Sequence, residues 1–112
     1  MLNMKKEIKK FVSENTKVFT TPKPERLLER IIHIATNEGD WVLDAFLGSG
    51  TTCAVAHKMK RKWIGIELGN QIEEICIPRL KAVIDGTDKN GVSKSSKWKK
   101  GGSFSYYSIK KQ

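Results

Sequence analysis

Two short apolar runs on either side of a glycine-rich turn constrain this chain more than any other feature in it. Trp41-Val42-Leu43-Asp44-Ala45-Phe46 is β-prone and apolar on both faces up to Asp44, the pattern of a buried parallel strand. Leu47-Gly48-Ser49-Gly50-Thr51-Thr52 reads as a turn. Residues 51–60 then read as a helix whose Cys53, Ala54, Val55 and Ala56 are small enough to lie close on a sheet. After a basic turn over 58–62, Trp63-Ile64-Gly65-Ile66-Glu67 is a second apolar strand ending on a carboxylate. Strand, turn, helix and strand make one βαβ unit, expected to cross over right-handed.

The flanks supply cover for such a unit. Pro24 suits the first position of a helix, where its missing N–H would be unbonded in any case, and Glu25 complements the positive end of the helix dipole. Leu27, Leu28, Ile31 and Ile34/Ala35 recur at three and four residues as one stripe, and Asn37 and Gly39 are stop signals. Residues 70–84 look helical with Ile72, Ile75, Cys76, Leu80 and Val83 buried, and Pro78 predicts a kink or a restart. Ile8, Phe11 and Val12 fit a short amphipathic helix within residues 1–17. Residues 85–102 read as a loop or partly disordered arm with only Val92 and Trp98 apolar, and residues 104–109 as an edge strand.

The length of 112 residues suits one domain, and no apolar run approaches the ~20 residues of a membrane span. The basic start is followed by no apolar stretch or cleavage site, so the cytoplasm is the expected compartment. Cys53 and Cys76 belong to no metal-binding or disulfide pattern, which argues against a metal site. His33 and His57 have no cysteine or carboxylate constellation beside them in the sequence. The net charge of +9 divides unevenly: +3 over residues 1–20, zero over 21–80 and +6 over 81–112. This divides the chain into a basic segment (1–17), a neutral folded core (18–84) and a Lys-rich loop with a terminal strand (85–112). Lysine-rich ends suit a phosphate backbone, as at Trp98 with Lys94, Lys97, Lys99 and Lys100, or simply confer solubility.

A strand ending in Asp44, glycines at a helix mouth and an acid ending the next strand form a nucleoside-binding arrangement. Glycines admit a ligand to the backbone, and Glu67 is placed to accept hydrogen bonds from two ribose hydroxyls. A dinucleotide fold would show a third glycine where Cys53 stands, and a Walker loop would need Gly-Lys-Ser/Thr where Gly50-Thr51-Thr52 stands. Both phosphate readings are weakened.

Asp44-Ala-Phe46-Leu-Gly48-Ser49-Gly50-Thr51-Thr52 resembles the S-adenosylmethionine motif of the amino-methylating DNA methyltransferases, D-x-F-x-G-S-G-T-T. Thr21-Pro22-Lys23-Pro24 resembles the T-x-K-P motif that precedes it in beta-type members, and Ile64-Gly65-Ile66-Glu67 resembles their ribose-binding strand. The tail Gly101-Gly102-Ser103-Phe104-Ser105-Tyr106-Tyr107 is similar to the end of modification (Mod) subunits of type III restriction systems. The resemblance implies an α/β chain with a partial Rossmann-like methyltransferase fold, a mostly parallel sheet, and S-adenosyl-L-methionine as cofactor. It implies that Thr21, Lys23 and Pro24 lie beside the methionine end and that Phe46, Gly48 and Gly50 wrap methionine and sugar. By the same resemblance Thr51 and Thr52 bond near the carboxylate, with Asp44 and Ser49 in the same motif, while Glu67 holds the ribose and Leu68 touches adenine.

The family transfers its methyl to an exocyclic amine held by an Asp/Asn/Ser-Pro-Pro-aromatic tetrapeptide. This chain has no Pro-Pro. The expectation is therefore the cofactor-binding portion of a site-specific adenine-N6 DNA methyltransferase, with no catalytic residue of its own and inactive alone. Its implied partners are DNA, an N-terminal methyltransferase half or other modification-subunit chain, and a restriction (Res) subunit. The alternative is a non-catalytic remnant that binds DNA or a partner through its basic arms, and a nicotinamide- or nucleotide-binding domain ranks third.

Overall fold

The computed structural model describes residues 24–109; the helix expected within 1–17, with Thr21 and Lys23, lies outside them. Helix α1 spans Glu25–Ala35. Pro24 occupies the cap (φ −65°, ψ 140°), one position earlier than the sequence suggests, and its carbonyl accepts the Leu27 N–H at 3.1 Å. The helix stops before Asn37 because Thr36 turns extended and both its N–H and its hydroxyl bond the Ile32 carbonyl. Leu27, Leu28 and Ile32 are its buried residues, whereas Ile31 is half-buried and Ile34 and Ala35 are exposed. The apolar stripe is thus rotated toward Ile32 from where its spacing put it.

Strands β1 (Trp41–Asp44) and β2 (Lys62–Gly65) pair in parallel, with Leu43 opposite Ile64 and Asp44 opposite Gly65. Helix α2 (Thr51–Lys58) crosses between them, completing the βαβ unit. Its Cys53, Ala54, Val55 and Ala56 are fully buried. One side of α2 joins Leu27, Leu28, Ile32 and Val92, with Val42 and Trp63 packed from the sheet. The other side joins Leu47, Cys76, Leu80 and Val83.

Among the described residues the strands are packed on one face only, whereas the apolar run up to Asp44 reads as a strand buried on both. Trp41, Leu43, Ile64 and Ile66 remain 63%, 65%, 49% and 50% exposed, so among the described residues α2 covers one face and the other is open apolar surface. Parallel sheets are ordinarily covered on both faces, and this face is apolar surface of the kind a further layer covers.

After β2, residues Ile72–Cys76 form a π-helical turn that passes into α3 (Ile77–Asp85), with Pro78 in its first turn. The restart expected at Pro78 is realised here, since a proline lacking its N–H is tolerated only where no i−4 bond is needed. Ile75 is exposed instead of buried, on a π-helical turn whose wider winding departs from the α-helical register that the spacing assumes.

Residues 85–102 are a packed segment and not a loose arm. Val92 is buried at a 3₁₀ turn (Gly91–Ser93), and the Trp98 indole donates to the Val83 carbonyl at 2.8 Å. The chain then passes His57, whose Nε2 lies 2.8 Å from the Gly101 carbonyl while the Trp63 indole bonds Nδ1. Indole N–H only donates, so Nδ1 accepts and Nε2 carries the proton. Residues 104–109 form no strand, for β1 and β2 make the only sheet among the described residues and the tail runs past Trp63 and Glu73 instead.

A buried ionic cluster ties these layers. Lys58 is fully buried and meets Glu25 at 2.7 Å and Asp88 at 3.1 Å, and Arg79 meets the other Glu25 oxygen at 2.8 Å. Charges so far from water persist only when paired and hydrogen-bonded, as these are. No helix among the described residues is long and apolar enough to cross a membrane.

Candidate cofactor site at the glycine turn

The glycine turn lies where β1 ends and α2 begins. Asp44 directs the exit: its Oδ1 accepts the Phe46 N–H at 3.0 Å and its carbonyl accepts the Ile66 N–H at 2.8 Å. Gly48 (φ +58°) and Gly50 (φ +87°) take left-handed conformations that a side chain would strain, which is why glycine stands at both. Gly50 caps α2 with no side-chain capping bond, so the N–H groups of Thr51, Thr52 and Cys53 have no intrahelical acceptor and face an anion-favouring helix end.

Glu67 crosses from the end of β2 to this turn. Its Oε2 accepts the Gly48 N–H at 2.9 Å, and its Oε1 accepts the Gly69 N–H at 3.2 Å with a long 3.5 Å contact from Gln71. A carboxylate has about four lone-pair sites, so Oε2 keeps room for one further donor. The residue expected to receive a ribose therefore also shapes the loop. Phe46 (88% exposed) and Leu68 (99%) stand bare beside the two strand ends, apolar surface with no described residue packed against it. Ser49 and Thr51 join through their hydroxyls at 3.1 Å, and Thr52 is half-buried on the first turn of α2. The structure thus brings Asp44, Phe46, Gly48, Ser49, Gly50, Thr51, Thr52, Glu67 and Leu68 to one edge of the sheet. Pro24 joins indirectly, since the adjacent Glu25 is bonded to Arg79 and Arg79 to Thr51.

Three supporting residues escape a reading of the sequence. Gly65 is one: a Cβ there would meet Leu47 Cδ2 at 2.8 Å and Cys53 Sγ at 2.9 Å. The room that a dinucleotide fold makes with a third glycine on the helix is made here on the strand, which is how Cys53 is accommodated. Cys76 is another, its thiol donating to the Gly48 carbonyl at 2.7 Å and flooring the turn. Burial first, then Asp44 and Cys76, push the Cys53 thiol up to about 12, and burial then Glu67 raise Cys76, so both are structural thiols and not nucleophiles. Arg79 is the third, a helix cation that no spacing rule links to Glu25 or Thr51.

The family model described as DNA methylase matches residues 3–78, well over half of the sequence. This chain belongs to the N6/N4 DNA methylase family. It is similar to the probable type III restriction-modification enzyme HindVI Mod subunit of Haemophilus influenzae, 58% identical over 84 residues that make up 75% of this chain and 11% of that protein. The type II methyltransferase M.BamHI of Bacillus amyloliquefaciens is 62% identical over 56 residues, 50% of this chain and 13% of that protein. The type II methyltransferase M.HpaI of Haemophilus parainfluenzae is 41% identical over 78 residues, 70% of this chain and 25% of that protein. The matched stretch thus spans between 11% and 25% of the length of these relatives. DNA methyltransferases generally use S-adenosylmethionine, and the turn of this methylase chain fits such a group: free helix N–H groups for a carboxylate, a carboxylate for hydroxyls, and bare apolar side chains for a base.

Proposed function

We propose that this methylase chain is the S-adenosylmethionine-binding portion of a site-specific adenine-N6 DNA methyltransferase of a type III restriction-modification system. The observation that carries the reading is the uncapped α2 N-terminus with Glu67 bridged across its glycine turn and Phe46 and Leu68 bare on either side. The cofactor supplies an electrophilic methyl on sulfur. The chain's own residues bind and orient: Thr51 and Thr52 receive the amino-acid carboxylate through their backbone N–H groups, Ser49 adds a hydroxyl, and Gly48 and Gly50 let the backbone approach. Asp44 and Phe46 set the course of the turn, Glu67 accepts a ribose hydroxyl at Oε2, Leu68 packs on adenine, and Thr21, Lys23 and Pro24 flank the methionine end.

With no Pro-Pro tetrapeptide in the 112 residues, the amine-holding half comes from other methyltransferase sequence. The open face of Trp41, Leu43, Ile64 and Ile66 supports this, being apolar surface of the kind a second covering layer buries. DNA and a restriction subunit are the further partners. A second reading, a basic module that binds DNA without cofactor, draws on the exposed Lys94, Lys97, Lys99 and Lys100 around the anchored Trp98.

Calorimetric titration of the chain with S-adenosylmethionine tests the first reading. Saturable binding is expected, weakened in Glu67→Gln, which keeps an oxygen for the Gly48 N–H but loses the carboxylate. Absence of binding, or equal binding by both proteins, overturns it; salt-sensitive DNA binding without cofactor binding transfers support to the second.

A further inference from the structure

A chain of hydrogen bonds runs from α3 into the glycine turn, and satisfying the buried hydroxyl in its middle gives it a direction. Arg79 Nη1 donates to Thr51 Oγ1 at 2.7 Å, and a guanidinium can only donate. Thr51 is buried, and among the described hydrogen bonds the acceptor available to its own proton is Ser49 Oγ at 3.1 Å. The arrangement that gives the buried Thr51 hydroxyl an acceptor has it donate to Ser49 Oγ, and Ser49's own proton then has no acceptor among the described residues. That leaves Ser49 a donor aimed by a cation two bonds away, at the mouth of the same helix whose first N–H groups are free. The guanidinium is itself fixed, because its Nη2 bonds Glu25 Oε2 at 2.8 Å and Glu25 is held from its other oxygen by Lys58 and the Val92 N–H.

We propose that Arg79 is a positioning residue for the carboxylate of the cofactor's amino-acid end, acting through Thr51 to fix Ser49 as a hydrogen-bond donor. The assignment rests on the cofactor reading above. Arg79 touches no ligand in this scheme; held by Glu25, it sets the polarity of two hydroxyls beside the place where a carboxylate binds. An adenosine ligand without an amino-acid end gains nothing from it.

The test compares two neutral thioethers, S-adenosylhomocysteine and 5′-methylthioadenosine, which share the adenosine and differ in the amino-acid end. Their dissociation constants are measured by calorimetry on the unsubstituted chain, Arg79→Met, Arg79→Lys and Thr51→Val. Loss of a charge-assisted donor predicts roughly ten-fold or greater weakening of S-adenosylhomocysteine in Arg79→Met. Methylthioadenosine should change by less than about two-fold, the contact with its adenosine being unaltered. Arg79→Lys should recover part of the loss, since it keeps the charge but cannot reach Thr51 and Glu25 together. Thr51→Val breaks the relay with little change of shape and should show the same selectivity, which keeps the test decisive if Arg79→Met fails to fold. Equal weakening of both ligands in both variants, or of neither, overturns the positioning role and leaves the cofactor reading standing. No binding of either ligand by the unsubstituted chain overturns both.

Discussion

Replacing Lys58 by Met gives a stability loss whose size can be worked from its contacts. All three ammonium protons have acceptors: Glu25 Oε1 at 2.7 Å, Asp88 Oδ2 at 3.1 Å and the Asn90 carbonyl at 3.1 Å. Met preserves most of the packed stem, so the change isolates the charge. Glu25 would keep Arg79 and the Val92 N–H, but Asp88, with a side chain only 13% exposed, would lose its counter-charge. Removing one member of a buried pair costs about 3–5 kcal/mol, and the partial exposure of Asp88 puts this site near 3 kcal/mol. Urea unfolding followed by tryptophan fluorescence should show a midpoint lower by roughly 1–3 M, given a slope of about 1–3 kcal/mol per molar. Lys58→Met combined with Asp88→Asn should recover roughly 1 kcal/mol, because the stranded charge is gone. A loss below about 1 kcal/mol for the single variant, or no recovery in the double, would refute the claim that Lys58 acts as a buried ionic tie.

Gly65→Ala is expected to cost about 1–3 kcal/mol by overpacking against Leu47 and Cys53, with Cys53→Ala in the same chain recovering part of it; additive losses in a double-mutant cycle would contradict the close contact. Burial first, then Asp44 and Cys76, push the Cys53 thiol from 9.0 to about 12, so the folded chain holds a proton that the unfolded chain releases. The linked stability is complete below pH 9 and is lost as pH rises toward 12, so the urea midpoint should fall across that window and fall less steeply in Cys53→Ala; identical slopes would refute it.

What the sequence determined by itself is the local order of the chain. Glycines at 48 and 50, small residues at 53–56 and two β-prone runs specify strand, tight turn, close-packed helix and parallel strand, because φ > 0 and helix–sheet proximity are satisfied by few residue types. The helix restart at Pro78 was equally legible, since proline's missing N–H is a local fact. Which face of a strand is covered is not local. An apolar run reads the same whether both faces are packed or one awaits a partner, and here Leu43 and Ile64 belong to the open side. The rotation of α1 toward Ile32 and the outward turn of Ile75 depend on what neighbours offer, and so does the irregular path of residues 104–109 where an alternation suggested a strand. The tertiary structure alone decided the supports of the site: Gly65 clearing space for Cys53, Cys76 flooring the turn, and Arg79 reaching Thr51 and Glu25 across 28 and 54 residues of chain. Charge pairs at such separations leave no period in a sequence, because only folding brings Glu25, Lys58, Arg79 and Asp88 within bonding distance.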